Sequence, residues 1–228
     1  MGKRGPKPKG NVKLEWSANF AYAIGLIVSD GCLYNDGRHI SLTSKDIQQA
    51  KNFKKCLGLN VKIGLKSSGT QKEKIYNNVQ FGDVNFYKFL NSIGIESAKS
   101  KTIGEVLIPN KYFFDYLRGC FDGDGCFYSY WDPRWRSSHM FYLEFVSASK
   151  KHIDWLQSKI KARTRVVGHI TKGTKVKPFF QLKYAKKEAL VIIEKMYYNP
   201  KVICLSRKKL KIQKALKIEK KQQSMYKK

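Results

Sequence analysis

NFAYAIGLIVSDG at Asn19–Gly31 and FFDYLRGCFDGDG at Phe113–Gly125 are two versions of one pattern, 94 residues apart. Tyr22 and Tyr116, Gly25 and Gly119, and the dipeptides Asp30-Gly31 and Asp124-Gly125 hold matching places. Small residues recur at helical spacing: Ala21, Gly25 and Ser29 in the first, Gly119 and Gly123 in the second. Such a stripe lets two helices approach closely. Each segment ends on an acid followed by a glycine suited to a helix C-terminal cap. A carboxylate is disfavoured there, because the helix dipole already places partial negative charge at that end. For one Asp-Gly an ordinary turn is the better reading. Two, at the same position after the same glycine, need another explanation.

The likeness continues downstream. Cys32–Tyr34 (CLY) answers Cys126–Tyr128 (CFY), and a strand ending in Ser-Lys precedes a helix in both copies. Counted from Ser44 to Ser149 the offset has grown to 105, which implies a hairpin 11 residues longer in the second copy, the aromatic YSYWDPRWRSSH of Tyr128–His139. Val79–Leu90 then matches Leu182–Ile193 at an offset of 103. The chain therefore divides into a basic arm (1–14), two repeats (15–108 and 109–213) and a basic tail (214–228). Each repeat reads as helix, two strands, helix, two strands, helix. The fold class is α+β, with two antiparallel four-stranded sheets.

Alternation identifies the strand faces. Ile40 and Leu42 alternate with His39, Ser41 and Thr43; Val61, Ile63 and Leu65 with Lys62, Gly64 and Lys66; Ile75, Val79 and Phe81 with Lys74, Tyr76, Asn78 and Gln80. In the second copy Phe141, Leu143 and Phe145 oppose Tyr142, Glu144 and Val146, while Phe180 and Leu182 oppose Gln181 and Lys183. One face of each sheet is thus apolar and the other polar. The polar face is either a simple solvated surface or a set of donors and acceptors for base edges and phosphates.

Charge favours the second. The 228 residues carry 45 Lys and Arg against 17 Asp and Glu, a formal net charge of +28. So large an excess repels itself and calls for a polyanionic partner. No stretch approaches the roughly 20 apolar residues of a membrane span, and MGKRGPKPKG is not a secretion signal. The expectation is an intracellular protein with no membrane partner, cytoplasmic in a prokaryote or in the matrix of an organelle. The five cysteines form no CxxC pair and no zinc spacing with the four histidines. They read as reduced and mostly buried.

Two motif helices packed side by side would bring Asp30 and Asp124 together with free carbonyls. Hard oxygen ligands in a basic protein suit Mg²⁺, which completes its shell with water and substrate phosphate. Acids beside a phosphodiester fit metal-assisted hydrolysis.

AIGLIVSDG at Ala23–Gly31 and LRGCFDGDG at Leu117–Gly125 resemble the signature of the LAGLIDADG homing endonucleases, and the order of elements matches from about Trp16 to Leu210. The resemblance implies a pseudo-twofold monomer with the motif helices at its centre and both sheets forming a saddle over double-stranded DNA. It implies metal and catalytic roles for Asp30 and Asp124, further metal contacts from the carbonyls of Ser29 and Gly123, and Lys183 and Gln80 beside the scissile phosphates. The cofactor it implies is Mg²⁺, with Mn²⁺ as a substitute, and the product carries short 3′ overhangs. The mid-motif acid of the family is Val28 in the first copy and Asp122 in the second, a position read as structural. Expected DNA contacts are Tyr34, Arg38, His39, Ser41, Thr43, Lys62, Lys66, Lys74, Tyr76 and Asn78 in the first repeat. In the second they are Tyr128, Tyr130, Arg134, Arg136, Tyr142, Glu144, Arg165, His169, Lys172, Lys175 and Gln181. Unequal hairpins imply a non-palindromic target.

Two readings stay open beside this one. Some proteins of the fold bind their own intron RNA as maturases, and others bind DNA without cutting it. The N-terminal arm reads as a minor-groove contact or a solvated tail. The segment from Arg207 to Lys228 reads as a helix touching the DNA backbone as far as about Lys217, or as a frayed end.

Overall fold

Ser17 opens the first helix by accepting the Phe20 N–H on its hydroxyl at 3.1 Å. From that cap a computed structural model describes residues 10–67, 73–135, 137–173 and 178–225. Repeat one runs α1 (Ala18–Asp30), β1 (Gly31–Leu33), β2 (His39–Ser44), α2 (Ile47–Leu57), β3 (Gly64–Ser67), β4 (Ile75–Gly82), α3 (Val84–Ser92). A connector with two short 3-10 turns leads to repeat two: α4 (Phe113–Gly123), β5 (Cys126–Trp131), β6 (His139–Ser147), α5 (Lys150–Thr164), β7 (His169–Gly173), β8 (Phe179–Ala185), α6 (Lys186–Met196). A last helix, α7 (Ser206–Met225), crosses the boundary drawn at 213 without a break. No helix among the described residues is long and apolar enough to cross a membrane.

The strand orders are β1-β2-β4-β3 and β5-β6-β8-β7, antiparallel throughout, so the repeat seen in the sequence is a repeat in space. Register refines the alignment. Leu42 pairs with Gly31 and Val79, and Phe145 pairs with Leu182, which makes Ser44 the counterpart of Ser147, not of Ser149. The turn chemistry agrees: Ser44 Oγ accepts the Asp46 N–H and Ser147 Oγ accepts the Ser149 N–H. The offset is therefore 103, and the second hairpin is longer by nine residues rather than eleven.

Core residues come from one face of each sheet and from the helices over it: Ile40, Leu42 and Val79 in repeat one, Phe141, Leu143, Phe145 and Leu182 in repeat two, all 0–2% exposed. The alternation fails at the far end of the first sheet. Leu65 is 74% and Ile75 62% exposed, because β3 and the start of β4 project beyond the helices that cover the core. The strand expected from Val61 begins only at Gly64, which leaves Lys62 in the approach to it. Cys120 and Cys204 are buried, but Cys32 and Cys126 are exposed at equivalent places on β1 and β5.

Candidate active site at the paired motif helices

α1 and α4 pack together more extensively than any other two elements. The small residues make this possible. A Cβ on Gly25 would stand 2.2 Å from the Tyr116 carbonyl oxygen, and one on Gly119 would stand 2.1 Å from that of Tyr22. Lower down, a Cβ on Gly123 would meet Ser29 Oγ at 1.9 Å and Asp30 Oδ2 at 2.9 Å. The expected stripe is thus a backbone-to-backbone seam, and it delivers Asp30 and Asp124 to the same end of it.

The two glycines after the acids do something other than cap in the left-handed conformation. Gly31 is extended (φ −84°, ψ 151°), and its N–H reaches the Ile27 carbonyl. A side chain there would strike the Ile27 backbone at 2.6 Å, and one on Gly125 would strike the Phe121 backbone at 2.7 Å. Each glycine lets a strand leave sharply over the last helical turn. Asp30 is the last residue of α1, while Asp124 is itself the cap of α4.

Desolvation dominates the electrostatics. Burial, with the neighbouring charge of Asp124 second, raises the Asp30 carboxyl to about 6, and Gln49 Nε2 donates to its Oδ2. Asp124 is an exposed residue, yet enough protein crowds its carboxyl that burial raises it too. Both acids are opposed by the same two lysines. Lys208 on α7, 7% exposed, donates to the carbonyls of Phe121 (2.5 Å), Gly123 (3.1 Å) and Gly125 (2.7 Å). Lys99 in the connector, 5% exposed, donates to the carbonyl of Gly31. Burial lowers both ammonium groups, Lys208 to about 8. A lysine thus closes each helix end by binding the carbonyl of the motif glycine, where the dipole calls for a cation.

The donor set fits a hard divalent cation: two mutually repelling, desolvated carboxylates beside carbonyl oxygens. Among the described residues no group of three or more His, Cys, Asp or Glu side chains forms a metal cage. Water and phosphate would have to complete the shell. The Gly123 carbonyl, expected to face metal, accepts from Lys208 and keeps one lone pair. Ser29 Oγ bonds back to Gly25 O and Leu26 O, both at 3.2 Å. Asp122 is structural: its Oδ2 accepts from the Tyr22 hydroxyl (2.8 Å) and the Leu205 N–H (2.7 Å).

The register makes Gln80 and Lys183 equivalent. Cys32, Ser41 and Gln80 form one row across the first sheet, and Cys126, Glu144 and Lys183 form the matching row in the second. Each row starts two residues past its aspartate. The other expected contacts divide. Tyr34, His39, Thr43, Lys66, Tyr76 and Asn78 share the polar face of the first sheet by pairing, and Thr43 Oγ1 bonds to Asn78 Oδ1 at 3.0 Å. Arg38 is exposed in the hairpin and Lys74 just before β4. Tyr128, Tyr130, Tyr142, His169 and Gln181 do the same in the second sheet, with Tyr128 and Tyr142 stacked at 5.3 Å and Tyr130 and Tyr142 at 6.3 Å.

Ser41 and Glu144 lie on these faces but are only 1% and 4% exposed, enclosed by their neighbours. Lys172 pairs with Phe180 and so stands on the opposite face, while Thr171 lies beside Gln181 on the polar one. Arg165 is not on a strand at all; it is the left-handed cap of α5 (φ 64°). Arg134 sits at the hairpin tip, paired with Asp132 at 3.1 Å. Arg136 and Lys175 lie outside the described residues, as do residues 1–9 of the arm.

Four buried polar side chains around the paired helices have no signal of their own in the sequence: Lys99, Lys208, Gln49 and Arg118. Arg118, 1% exposed, ties α4 to the C-terminal segment through Asp115 (2.8 Å), Met196 O (2.7 Å) and Ile203 O (2.9 Å). Lys99 and Lys208 each follow the third helix of a repeat, and that shared place is the one trace they leave.

No family model matches the sequence, and no curated protein matches it. Solved structures do. The homing endonuclease I-WcaI bound to its DNA recognition sequence superposes with a TM-score of 0.58 at 15% identity, over 86% of this chain and 86% of that one. Full-length DUF199/WhiA from "Thermatoga maritima" gives 0.53 at 16%, over 89% and 68%. I-DmoI in complex with DNA and Mn gives 0.51 at 13%, over 80% and 97%. At these identities the shared property is architecture, and the chain has the LAGLIDADG homing-endonuclease fold in its single-chain form with two motifs.

Proposed function

We propose that the protein is a site-specific double-strand DNA endonuclease that hydrolyses both strands of a long, non-palindromic target and leaves short 3′ overhangs. The observation that carries this reading is the convergence of Asp30 and Asp124 at one end of a glycine seam, with a basic sheet leaving from each. I-WcaI, bound to its recognition sequence, and I-DmoI, held with DNA and Mn, support the substrate and the class of metal.

The chain's residues divide the work by place. Asp30 and Asp124 would hold Mg²⁺, for which Mn²⁺ would substitute. When bound, the metal lowers the pKa of a coordinated water and offsets charge on the departing oxygen. Lys99 and Lys208 hold the helix ends and prevent the two acids from driving them apart. Gln80 and Lys183 reach toward the phosphates from the rows that begin beside each acid. The polar sheet faces choose the sequence, and because their hairpins and rows differ, the two half-sites differ. One chain carries both acids, so a monomer suffices.

The test starts from the variant Asp30→Asn/Asp124→Asn, used to select duplexes from a randomised library. Wild type should cut the selected duplex only with Mg²⁺ or Mn²⁺. The variant should bind it comparably and cut at least about 100-fold more slowly. Failure of wild type to cut a duplex that the variant binds tightly would leave the alternative, a DNA-binding protein without cleavage. Preference of the variant for intron RNA over every duplex would leave a maturase.

A further inference from the structure

The equivalent rows of the two sheets hold different chemistry. In repeat two Lys183 Nζ lies 3.1 Å from Glu144 Oε1, and Glu144 is nearly enclosed while Lys183 is 29% exposed on its side chain. The Tyr128 hydroxyl faces the same carboxylate, and Tyr142 stacks on Tyr128 at 5.3 Å. In repeat one the same two places are Ser41, 1% exposed, and Gln80, exposed and given no partner among the described residues. Strands are about 4.8 Å apart, so both ends of the rows sit about 10 Å from the strand that leaves the aspartate. The distance is the same on the two sides. The charge is not.

We propose that the two strands of the target are cut at unequal rates, the phosphate served by Lys183 first, and that Glu144 is the positioning residue that makes Lys183 effective. This rests on the endonuclease reading. In the reaction a water oxygen bonds to phosphorus as the P–O3′ bond breaks. The 3′ oxygen leaves with a proton, giving a 5′-phosphate and a 3′-hydroxyl with water as the only co-reactant. Negative charge grows on the phosphoryl and leaving oxygens, and an ammonium offsets it where a neutral amide offers only a hydrogen bond of about half the strength. A lysine on a strand has many rotamers. The enclosed Glu144 carboxylate draws the ammonium to one place by charge, its Oε1 3.1 Å from Nζ without a hydrogen bond, and leaves the N–H groups for the phosphate. Ser41 is too short to hold a lysine in that way, and Gln80 faces its phosphate uncharged.

The experiment uses the selected duplex in a supercoiled plasmid, under single turnover with Mg²⁺, each strand labelled at its own end. Wild type should accumulate nicked circles before linear product, with one strand cut about 5- to 10-fold faster. Glu144→Gln should slow that strand alone, with duplex affinity and the rate on the other strand unchanged. A merely structural role would slow both. The double variant Glu144→Gln/Lys183→Gln leaves no enclosed unpaired charge and copies the neutral chemistry of repeat one. It should fold and cut the two strands at nearly equal rates. Equal rates in wild type, or a faster first cut in Glu144→Gln, would overturn the proposal and leave the endonuclease standing. Absence of any cut in wild type would instead remove the function on which it rests.

Discussion

Repeat one turns from β1 to β2 in a few residues, with Asp36 accepting the N–H groups of Arg38 and His39. Repeat two makes the same connection with nine more residues and exposes Trp131 and Trp135 at 49% and 68%. Both hairpins hold their own backbone through an aspartate, Asp132 accepting the Arg134 N–H in the second. They are braced from different elements: Tyr87 of α3 donates to the Tyr34 carbonyl in the first, and Gln222 of α7 to the Ser137 carbonyl in the second. At the helix ends the repeats converge again, each with an acid, a glycine under close contact and a buried lysine. On the proposed reading, features that serve the backbone seam and the metal are duplicated because both strands of a duplex present the same chemistry, and features that face the bases differ because a non-palindromic site presents different ones.

Substitution along the seam should break both repeats equally, and it carries the largest expected effect. Gly25→Val and Gly119→Val each place a side chain within about 2 Å of opposing backbone, which cannot move without separating α1 from α4. Each should cost about 3 kcal/mol or more in urea denaturation. Gly64→Ala, whose Cβ would meet nothing nearer than Asn78 O at 3.8 Å, should cost less than about 1 kcal/mol. A tolerant Gly25 beside an intolerant Gly119 would show that the seam is not shared.

The two lysines sharpen the comparison. Lys208 serves three carbonyls and Lys99 one, so loss of the first leaves more buried acceptors without a donor. Lys208→Met should cost about 2–3 kcal/mol and Lys99→Met about 1 kcal/mol, read from the same melts. Equal costs would mean that charge opposite the aspartates matters and the count of carbonyls does not.

How much of this was legible in the sequence depends on distance along the chain. The glycine stripe, the alternation in β2 and β6 and the paired acids all use short periods, and the structure places them as read, although the glycines after the acids turn the chain instead of capping in the left-handed conformation. Counting from Ser44 to the wrong serine misjudged the hairpin, because Ser147 and Ser149 both precede a lysine-rich helix and only strand pairing separates them. Lys172 was named as a contact for its charge alone, and only the pairing of β7 with β8 puts it on the face away from Gln181. Lys99 and Lys208 reach the carbonyls of Gly31 and Gly125 from 68 and 83 residues away, and Gln49 reaches Asp30 from 19. A contact at such separation leaves no period to find. Burial of Ser41 and Glu144 was equally out of reach, since it depends on neighbours across three strands.

The smallest expected effect separates the two aspartates. Asp30 has its carboxyl raised from 3.8 to about 6, chiefly by burial. A raised acid binds its proton more tightly in the folded chain, so its contribution to stability is complete below about pH 4 and is lost as pH rises through 6. In the absence of metal, Asp30→Asn should match wild type near pH 4. It should then exceed it by about 2 kcal/mol at pH 7, somewhat less than the full shift allows because the side chain keeps some contact with water. Asp124→Asn should move in the same direction by less, since Asp124 is more exposed than Asp30. Mg²⁺ should reverse the order at pH 7, stabilising wild type and neither variant, because ligand that binds only the folded state adds to its stability. Melting curves that stay parallel from pH 4 to 7 without metal would mean that Asp30 ionises without penalty, and the strain between the two acids would then not be what draws a cation to this end of the seam.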